Sequence, residues 1–179
     1  MSVVGHWTCP EATFTGFLDG PDIEVLVDVR AHPGSRTSPQ FGTDAMPQWL
    51  ARVGIGYHHL ELLGGRRRSQ RDVDPLVNAG WTNVSFKNYA DYTLSPGYED
   101  GIDELTALAQ RQRVVVMCAE PMPWRCHRLL ISNTLTARGW TVSHIMGDRE
   151  PCEHVLGQWG AAPVVEDSVV TYPAEDPTP

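Results

Sequence analysis

The stretch Val114-Val115-Val116-Met117-Cys118 decides the fold class, because an unbroken apolar run of this kind is typical of a strand buried on both faces. A second run of the same character, Val25-Leu26-Val27-Asp28-Val29, lies earlier in the chain. Weaker strand candidates cover residues 2–5, 57–60 and 140–145. Strands that are buried on both faces belong to parallel sheets covered by helices, so these runs predict an α/β protein.

Helical patterns lie between the predicted strands. They predict helices over residues 44–53, 99–112 and 124–138, with Gly54 and Gly139 as C-terminal stops. We therefore expect one α/β domain over residues 1–160, with a mostly parallel sheet flanked by helices in Rossmann-like or rhodanese-like layers. An acidic, proline-containing tail over residues 161–179 is expected to be poorly ordered or to lie on the surface.

Charge is distributed unevenly along the chain. The formal net charge is −8, which argues against a protein that coats nucleic acid or binds anionic membranes through a broad basic surface. Residues 30–71, however, hold seven Arg against Asp44 and Glu61, a local net charge of +5. Because arginine offers a fixed fork of donors to phosphate or carboxylate, this segment is either a binding site or an exposed arginine-rich loop.

The sequence favours a cytoplasmic protein with no membrane partner. Its N-terminus has no basic region followed by an apolar run, and no stretch reaches the ~18–20 apolar residues of a membrane span. The four cysteines of the chain do not amount to a disulfide framework. In a reducing cytosol they are free thiols, metal ligands or catalytic groups.

Polar and charged residues concentrate in three loops that follow predicted strands. Because the carboxyl ends of parallel strands meet at one edge of a sheet, we expect these loops to form one site. Glycine turns in two of the loops expose backbone amides, and arginine forks grip anionic oxygens. The anion-binding candidates in these loops are Asp28, Arg30, Arg36, Arg66, Arg125, Cys126 and Arg128. Arg67 and Arg68 are expected to lie in a solvated loop.

The chain contains several short motifs that are rich in glycine, histidine, arginine or cysteine. They are Gly5-His6, Val27-Asp28-Val29-Arg30, Pro33-Gly34-Ser35, Leu63-Gly64-Gly65-Arg66, Tyr89-Ala90-Asp91-Tyr92, Cys118-Ala119-Glu120, Trp124 and Cys126-His127-Arg128. Together they resemble the family called domain of unknown function 488, over about residues 3–145. The resemblance implies the α/β fold and adds His6 to the candidate ligand-binding residues, but it carries no activity. At Trp7 the chain departs from the family pattern, which usually has a small hydroxyl residue there.

Cys118 is the first catalytic candidate. It ends a buried strand and precedes a turn and a helix start, where backbone amides and the helix N-terminus lower the pKa of a thiol. In architecture the arrangement resembles rhodanese-type sulfurtransferases and cysteine phosphatases, although Pro121 and Pro123 remove amide donors from the loop. Cys118 is therefore either a nucleophile or a small apolar residue that closes the strand.

Glu120 and His127 are the other catalytic candidates. Glu120 acts either as a general base or as an anchor for Arg128 or His127. His127, near a predicted helix N-terminus, is either a neutral base or ligand or a residue that only caps and packs. Because adjacent helical residues point about 100° apart, Cys126 and His127 are expected to face different sides of the helix.

A metal site would draw on Cys118, Cys126 and His127, with His6, His144, Cys152 or His154 as further candidate ligands. The chain lacks the paired Cys-x-x-Cys or His-x-x-x-His spacings that structural zinc sites favour, so the sequence predicts neither a metal nor another cofactor. We expect an enzyme of unknown reaction that binds a phosphorylated or nucleotide-like substrate in an arginine-rich site. The alternative is a non-catalytic module that binds a nucleotide or nucleic acid with the same arginines, and some of the interspersed aromatic residues could stack on a base.

Overall fold

A six-stranded sheet runs through the middle of the protein in the computed structural model, which describes residues 1–20, 22–34, 37–147 and 149–174. Its strands lie in the order β3-β2-β4-β1-β5-β6, and the first five in this order are parallel while β6 runs antiparallel to β5. Their bounds are β1 (Ser2–Gly5), β2 (Val25–Asp28), β3 (Gly56–His59), β4 (Val114–Cys118), β5 (Ser143–Ile145) and β6 (Cys152–Glu153). The predicted α/β class with a mostly parallel sheet is confirmed.

Five helices cover the two faces of the sheet. They are α1 (Glu11–Asp19), α2 (Met46–Arg52), α3 (Val84–Tyr92), α4 (Pro96–Ala109) and α5 (Arg128–Ala137). The helices α1 and α2 pack on one face, where Phe14 and Leu50 meet Leu26 of β2. The helices α3, α4 and α5 pack on the other face, where Leu105 and Leu129 belong to the same core as β2 and β4. Alternate residues of each central strand enter the two cores, which explains why β4 is almost entirely apolar.

Two helices, α1 and α3, were not predicted from the sequence. The α3 helix begins at a side-chain cap, because Asn83 accepts hydrogen bonds from the backbone amides of Ser85 and Phe86 at 2.9 and 3.3 Å. The buried side of α3 consists largely of tyrosine side chains, and tyrosine gives only a weak hydrophobic pattern in a sequence. Among the described residues, no helix has the length and apolar character needed to cross a membrane.

The helix predicted over residues 124–138 begins later than expected. Residues Pro123–Arg125 form a short 3₁₀ turn, and Cys126 has an extended backbone with φ −132° and ψ 145°. The regular helix α5 starts only at Arg128 and ends before Gly139, which has a positive φ of 83°. This break places Cys126 and His127 in the loop rather than on the helix.

The described part of the C-terminal segment forms a hairpin. Strands β7 (Val164–Glu166) and β8 (Val169–Thr171) are joined by Asp167 and Ser168, both at positive φ as in a two-residue hairpin turn. The strand β7 is exposed, but Tyr172 is buried and its hydroxyl accepts a hydrogen bond from Asn133 at 2.7 Å. The described part of this segment is therefore anchored to the core through Val170 and Tyr172.

Candidate active site

A cavity of about 650 Å³ opens at the carboxyl edge of the sheet. Neighbouring strands β1 and β4 send their following helices to opposite faces, and a crevice opens at such a switch point. The loops after β1, β2, β3 and β4 reach the crevice, and the start of α3 closes one side. The lining residues with functional groups are Trp7, Arg30, His32, Arg66, Ser85, Phe86, Tyr89, Cys118, Glu120, Arg125, Cys126 and His127.

Gly5 allows the loops after β1 and β4 to approach each other at this edge. A Cβ atom built at Gly5 would lie 2.0 Å from the carbonyl oxygen of Glu120, so any other residue would force the two backbones apart. The two loops continue the parallel pairing beyond the strands, since the His6 amide donates to the Cys118 carbonyl at 3.0 Å. The close approach sets the width of the crevice.

Arg30 lies at the base of the cavity and is braced by Asp28. The Asp28 carboxylate is fully buried and accepts hydrogen bonds from Arg30 Nε at 2.9 Å and Nη2 at 2.5 Å. It also accepts from the Tyr57 hydroxyl at 2.8 Å, while Arg30 Nη2 donates to the Phe41 carbonyl at 2.8 Å. Arg30 is only 7% exposed, so most of its guanidinium is committed to protein partners.

His6 lies behind Arg30. Its Nδ1–H donates to the Trp7 carbonyl at 2.5 Å, so its Nε2 accepts from Arg30 Nη1 at 3.2 Å. Burial, followed by the charge of Arg30, lowers the pKa of His6 to about 4. The ring stacks on Phe41 at 4.0 Å between centroids. Neither His6 nor Asp28 lines the cavity, and both position Arg30.

Cys118, Cys126 and His127 converge on the floor of the cavity. The two Sγ atoms and a ring nitrogen of His127 lie within 4.8 Å of one another. His127 Nε2 donates to the Val29 carbonyl at 3.0 Å, which leaves Nδ1 directed at the sulfurs, 3.7 Å from Cys126 Sγ. The expectation that Cys126 and His127 face different sides is wrong, because both residues precede α5 and are not on a regular helix.

The two thiols on this floor have opposite pKa shifts. The hydrogen bond with Cys126, burial and the charge on that sulfur raise the pKa of Cys118 well above its ordinary value. Burial opposes ionisation of Cys126, but the hydrogen bond from Cys118 and the charge of Arg128 together lower the pKa of Cys126 well below its ordinary value. The expected lowering at Cys118 is therefore wrong, because the adjacent sulfur is better placed to carry the negative charge.

Arg128 holds the loop after β4 and does not line the cavity. It is 1% exposed, its Nε donates to Cys126 Sγ at 3.3 Å, and its Nη2 donates to the Glu120 carbonyl. The carboxylate of Glu120 is separate from this contact and lines the cavity, where Oε1 accepts from the Met122 amide at 3.3 Å. Arg128 is therefore anchored by the backbone of Glu120 and not by its carboxylate.

Two cationic side chains lie at the mouth of the cavity. Arg66 and Arg125 are exposed, and within the described ranges of the chain neither guanidinium has a hydrogen-bond or ion-pair partner. Arg66 has a positive φ of 59° and Trp7 a positive φ of 44°, conformations that non-glycine residues adopt rarely and at an energetic cost. Arg36, another predicted anion-binding residue, lies outside the described residues.

The family model described as Domain of unknown function DUF488 matches residues 11–135, more than half of the chain. The chain belongs to the DUF488 family. The membership expected from the sequence motifs is thereby confirmed, over a narrower range than residues 3–145. The searches of curated proteins and of solved structures each find no match.

The matched DUF488 segment contains every cavity-lining residue with a functional group except Trp7. Of the aromatic side chains interspersed between the arginine loops, Phe86 and Tyr89 line the cavity, with Tyr89 only 1% exposed, whereas the exposed Trp124 does not line it. Phe41, Trp49, Trp81 and Tyr92 are buried in the two cores.

Three lining residues, His32, Ser85 and Trp7, are not among the site residues predicted from the sequence. Trp7 follows the end of β1 and His32 follows β2, so the rule that sites form beyond strand ends could have indicated both. Ser85 lies in the first turn of α3, a helix that was not predicted, and no strand-end signal points to it.

Proposed function

We propose that this protein is an enzyme that binds a small phosphorylated or nucleotide-like substrate in the cavity at the carboxyl edge of its sheet. The supporting observation is that one cavity joins two unpartnered arginines, Arg66 and Arg125, to a floor of convergent thiol and imidazole groups. The arginines supply charge to hold an anion, and the floor supplies groups capable of chemistry. We also infer a cytoplasmic location, which the free state of all four cysteines fits.

The substrate class follows from the shape and charge of the lining. A volume of about 650 Å³ lies in the range of small-molecule sites, so a nucleotide-sized ligand fits it. Arg66 and Arg125 face a single carboxylate, Glu120, among the lining residues of the described chain. Phe86 adds aromatic surface on the side where α3 begins, which suits a flat ring beside an anionic group, whereas Tyr89 is only 1% exposed.

The floor residues have distinct roles in this proposal. Cys118 and Cys126 are the candidate nucleophiles or ligands, and His127 presents its Nδ1 lone pair toward them. Glu120 is the candidate general base, because its carboxylate lines the same cavity. Arg30 closes the base of the cavity in an orientation fixed by Asp28 and His6.

The alternative is a module that binds a nucleotide or a short nucleic-acid segment without changing it. The unpartnered arginines and the Phe86 ring favour this alternative equally, since binding needs only these groups. It assigns no role to the convergence of Cys118, Cys126 and His127. That convergence is the reason we place the enzyme first.

Binding is tested by titrating the full chain with a nucleoside monophosphate and with inorganic phosphate, monitored by calorimetry. A charge-assisted hydrogen bond contributes about 1.5–3 kcal/mol, so Arg66→Glu or Arg125→Glu should weaken binding by about 10–150-fold. The control is Arg68→Glu, which makes the same charge change two residues from Arg66 at an exposed position that does not line the cavity. If Arg66→Glu, Arg125→Glu and Arg68→Glu all bind the ligand with equal affinity, the anion site does not lie in this cavity.

Catalysis is tested on the ligand that binds. The wild-type chain is incubated with a panel of phosphate esters and nucleotides, and products are separated chromatographically. Turnover that is lost in Cys126→Ser and in Glu120→Gln while binding persists supports the enzyme. Ligands that bind through Arg66 and Arg125 and are returned unchanged support the binding module and refute the enzyme.

A further inference from the structure

We propose that Cys118, Cys126 and His127 form a three-ligand site for a divalent cation of the zinc class at the floor of the cavity. The inference rests on the proposed function, because the cation would face the anionic substrate that the cavity is proposed to bind. Two thiolates and one imidazole form a donor set that zinc accepts in proteins. The three residues come from the end of β4 and from the loop before α5, so they form no recognisable ligand spacing in the sequence.

The distances between donor atoms fit one small cation. Zinc bonds of about 2.3 Å to sulfur and about 2.0–2.1 Å to nitrogen, at tetrahedral angles, separate a sulfur ligand from a nitrogen ligand by about 3.6 Å. Cys126 Sγ and His127 Nδ1 are 3.7 Å apart. All three donor atoms lie within 4.8 Å of one another, so only small side-chain adjustments are needed to bring Cys118 Sγ to the same cation.

The histidine is held in the tautomer that a metal requires. His127 Nε2–H donates to the Val29 carbonyl at 3.0 Å, so Nδ1 carries the free lone pair and faces the sulfurs. A hydrogen bond from the distal ring nitrogen to a backbone carbonyl is the usual way in which proteins orient a ligating imidazole. The Tyr89 ring packs on the same imidazole at 4.9 Å between centroids and restricts its rotation.

The surroundings of the donor atoms also support a cation. Arg128 Nε donates to Cys126 Sγ at 3.3 Å, a contact that orients the sulfur from the side away from the cavity. A Cβ atom at Gly65 would lie 2.8 Å from His127 Nδ1, so the absence of a side chain at this position keeps the ligand nitrogen accessible. The Arg128 contact and the missing side chain at Gly65 therefore both concern the donor atoms themselves, Cys126 Sγ and His127 Nδ1.

The site has the organisation of a catalytic metal centre. Structural zinc sites are closed by four protein ligands, whereas catalytic sites have three and leave a position for water or substrate. All three donors line the cavity, together with the Glu120 carboxylate. A cation here polarises an anionic oxygen of the substrate or activates a bound water, for which Glu120 is the available proton acceptor.

The test uses the full, reduced chain. Zinc content is measured by mass spectrometry after purification and after reconstitution with zinc, and cobalt is then titrated into the metal-depleted chain. We expect one metal per chain and, with cobalt, thiolate-to-metal charge-transfer bands together with the intense visible bands of a tetrahedral site. Cys118→Ser and His127→Asn should weaken zinc binding by more than about 100-fold, whereas Cys152→Ser, which alters a thiol outside the site, should not.

A second pair of variants keeps the ligands intact in case the ligand variants fail to fold. Gly65→Ala should weaken zinc binding by about 10–100-fold, because the added Cβ crowds His127 Nδ1. Gly34→Ala is the matched control, since Gly34 also lines the cavity and its Cβ would meet nothing within 4 Å. Equal zinc affinity in these two variants overturns the proposed site, as does a wild-type chain that takes up no stoichiometric zinc or shows no thiolate–cobalt bands.

Failure of this inference is distinguishable from failure of the proposed function. A chain that binds the nucleotide through Arg66 and Arg125 but takes up no zinc refutes the metal site and leaves the anion site in place. A chain that takes up zinc at the three ligands but binds no phosphate or nucleotide supports the metal site and refutes the substrate class.

Discussion

The buried ion pair between Asp28 and Arg30 gives the sharpest energetic prediction. Asp28→Asn keeps the shape of the side chain and one oxygen acceptor but removes the negative charge. The Arg30 guanidinium, 7% exposed, then remains buried beside a neutral amide. The amide group also presents a donor toward Arg30 or toward the Tyr57 hydroxyl, where the native carboxylate only accepts.

The expected loss of stability follows from the cost of leaving one partner of a buried pair unpaired. Removal of one such partner costs about 3–5 kcal/mol. For a domain of this length 1 kcal/mol lowers Tm by about 2–4 °C, so Asp28→Asn should lower Tm by about 6–20 °C. Tyr57→Phe removes only one hydrogen bond to the same carboxylate and should cost about 1.5 kcal/mol.

The assay is the free energy of unfolding from guanidinium titration, measured on wild type, on both single variants and on Asp28→Leu/Arg30→Met. The double variant removes both charges in favour of apolar groups, so it should recover part of the stability that Asp28→Asn loses, while the Tyr57 hydroxyl and the Phe41 carbonyl lose a hydrogen-bond partner. A loss of less than 1 kcal/mol in Asp28→Asn, or no recovery in the double variant, would refute the account of Arg30 as a buried cation held by Asp28.

Three further predictions concern stability and its dependence on pH. Burial lowers the pKa of His6 and of His154 to about 4, and burial with the charge of His154 lowers the pKa of His144 to about 3. Below pH 6.5 the unfolded chain therefore takes up protons that the folded chain excludes, so the free energy of unfolding should fall by about 1.4 kcal/mol per pH unit for each of these histidines as pH drops toward 4. Urea titrations between pH 6.5 and 4 measure this fall, and a constant free energy of unfolding across those pH values contradicts the prediction. Arg66→Gly should raise the free energy of unfolding by about 0.5–1 kcal/mol, because glycine adopts a φ of 59° without strain. The same variant should weaken phosphate binding, as Arg66→Glu does. A stabilised Arg66→Gly variant that binds phosphate with full affinity would contradict a binding role for Arg66. Gly5→Ala should prevent native folding, because its Cβ would lie 2.0 Å from a backbone oxygen of the loop after β4, and a wild-type Tm in this variant would contradict that geometry.

The sequence by itself determined the central strands and the edge at which the site forms. The apolar runs of β2 and β4 are local patterns, and burial on both faces selects them independently of the rest of the chain. The strand-end rule likewise brought Arg30, Arg66 and Cys118 to one cavity, because parallel strands end at a common edge.

Only the tertiary structure decided the directions in which the site residues point. Cys126 and His127 both face Cys118 because the backbone is extended at Cys126 and because His127 donates a hydrogen bond to the carbonyl of Val29, 98 residues away in sequence. The tertiary structure also separates the charged residues into two groups. Asp28 and Arg128 make buried contacts with other protein groups, whereas Arg66 has no partner among the described residues and lies at the mouth of the cavity. Periodicity and spacing report on neighbours along the chain, whereas these directions depend on partners that only the folded packing supplies.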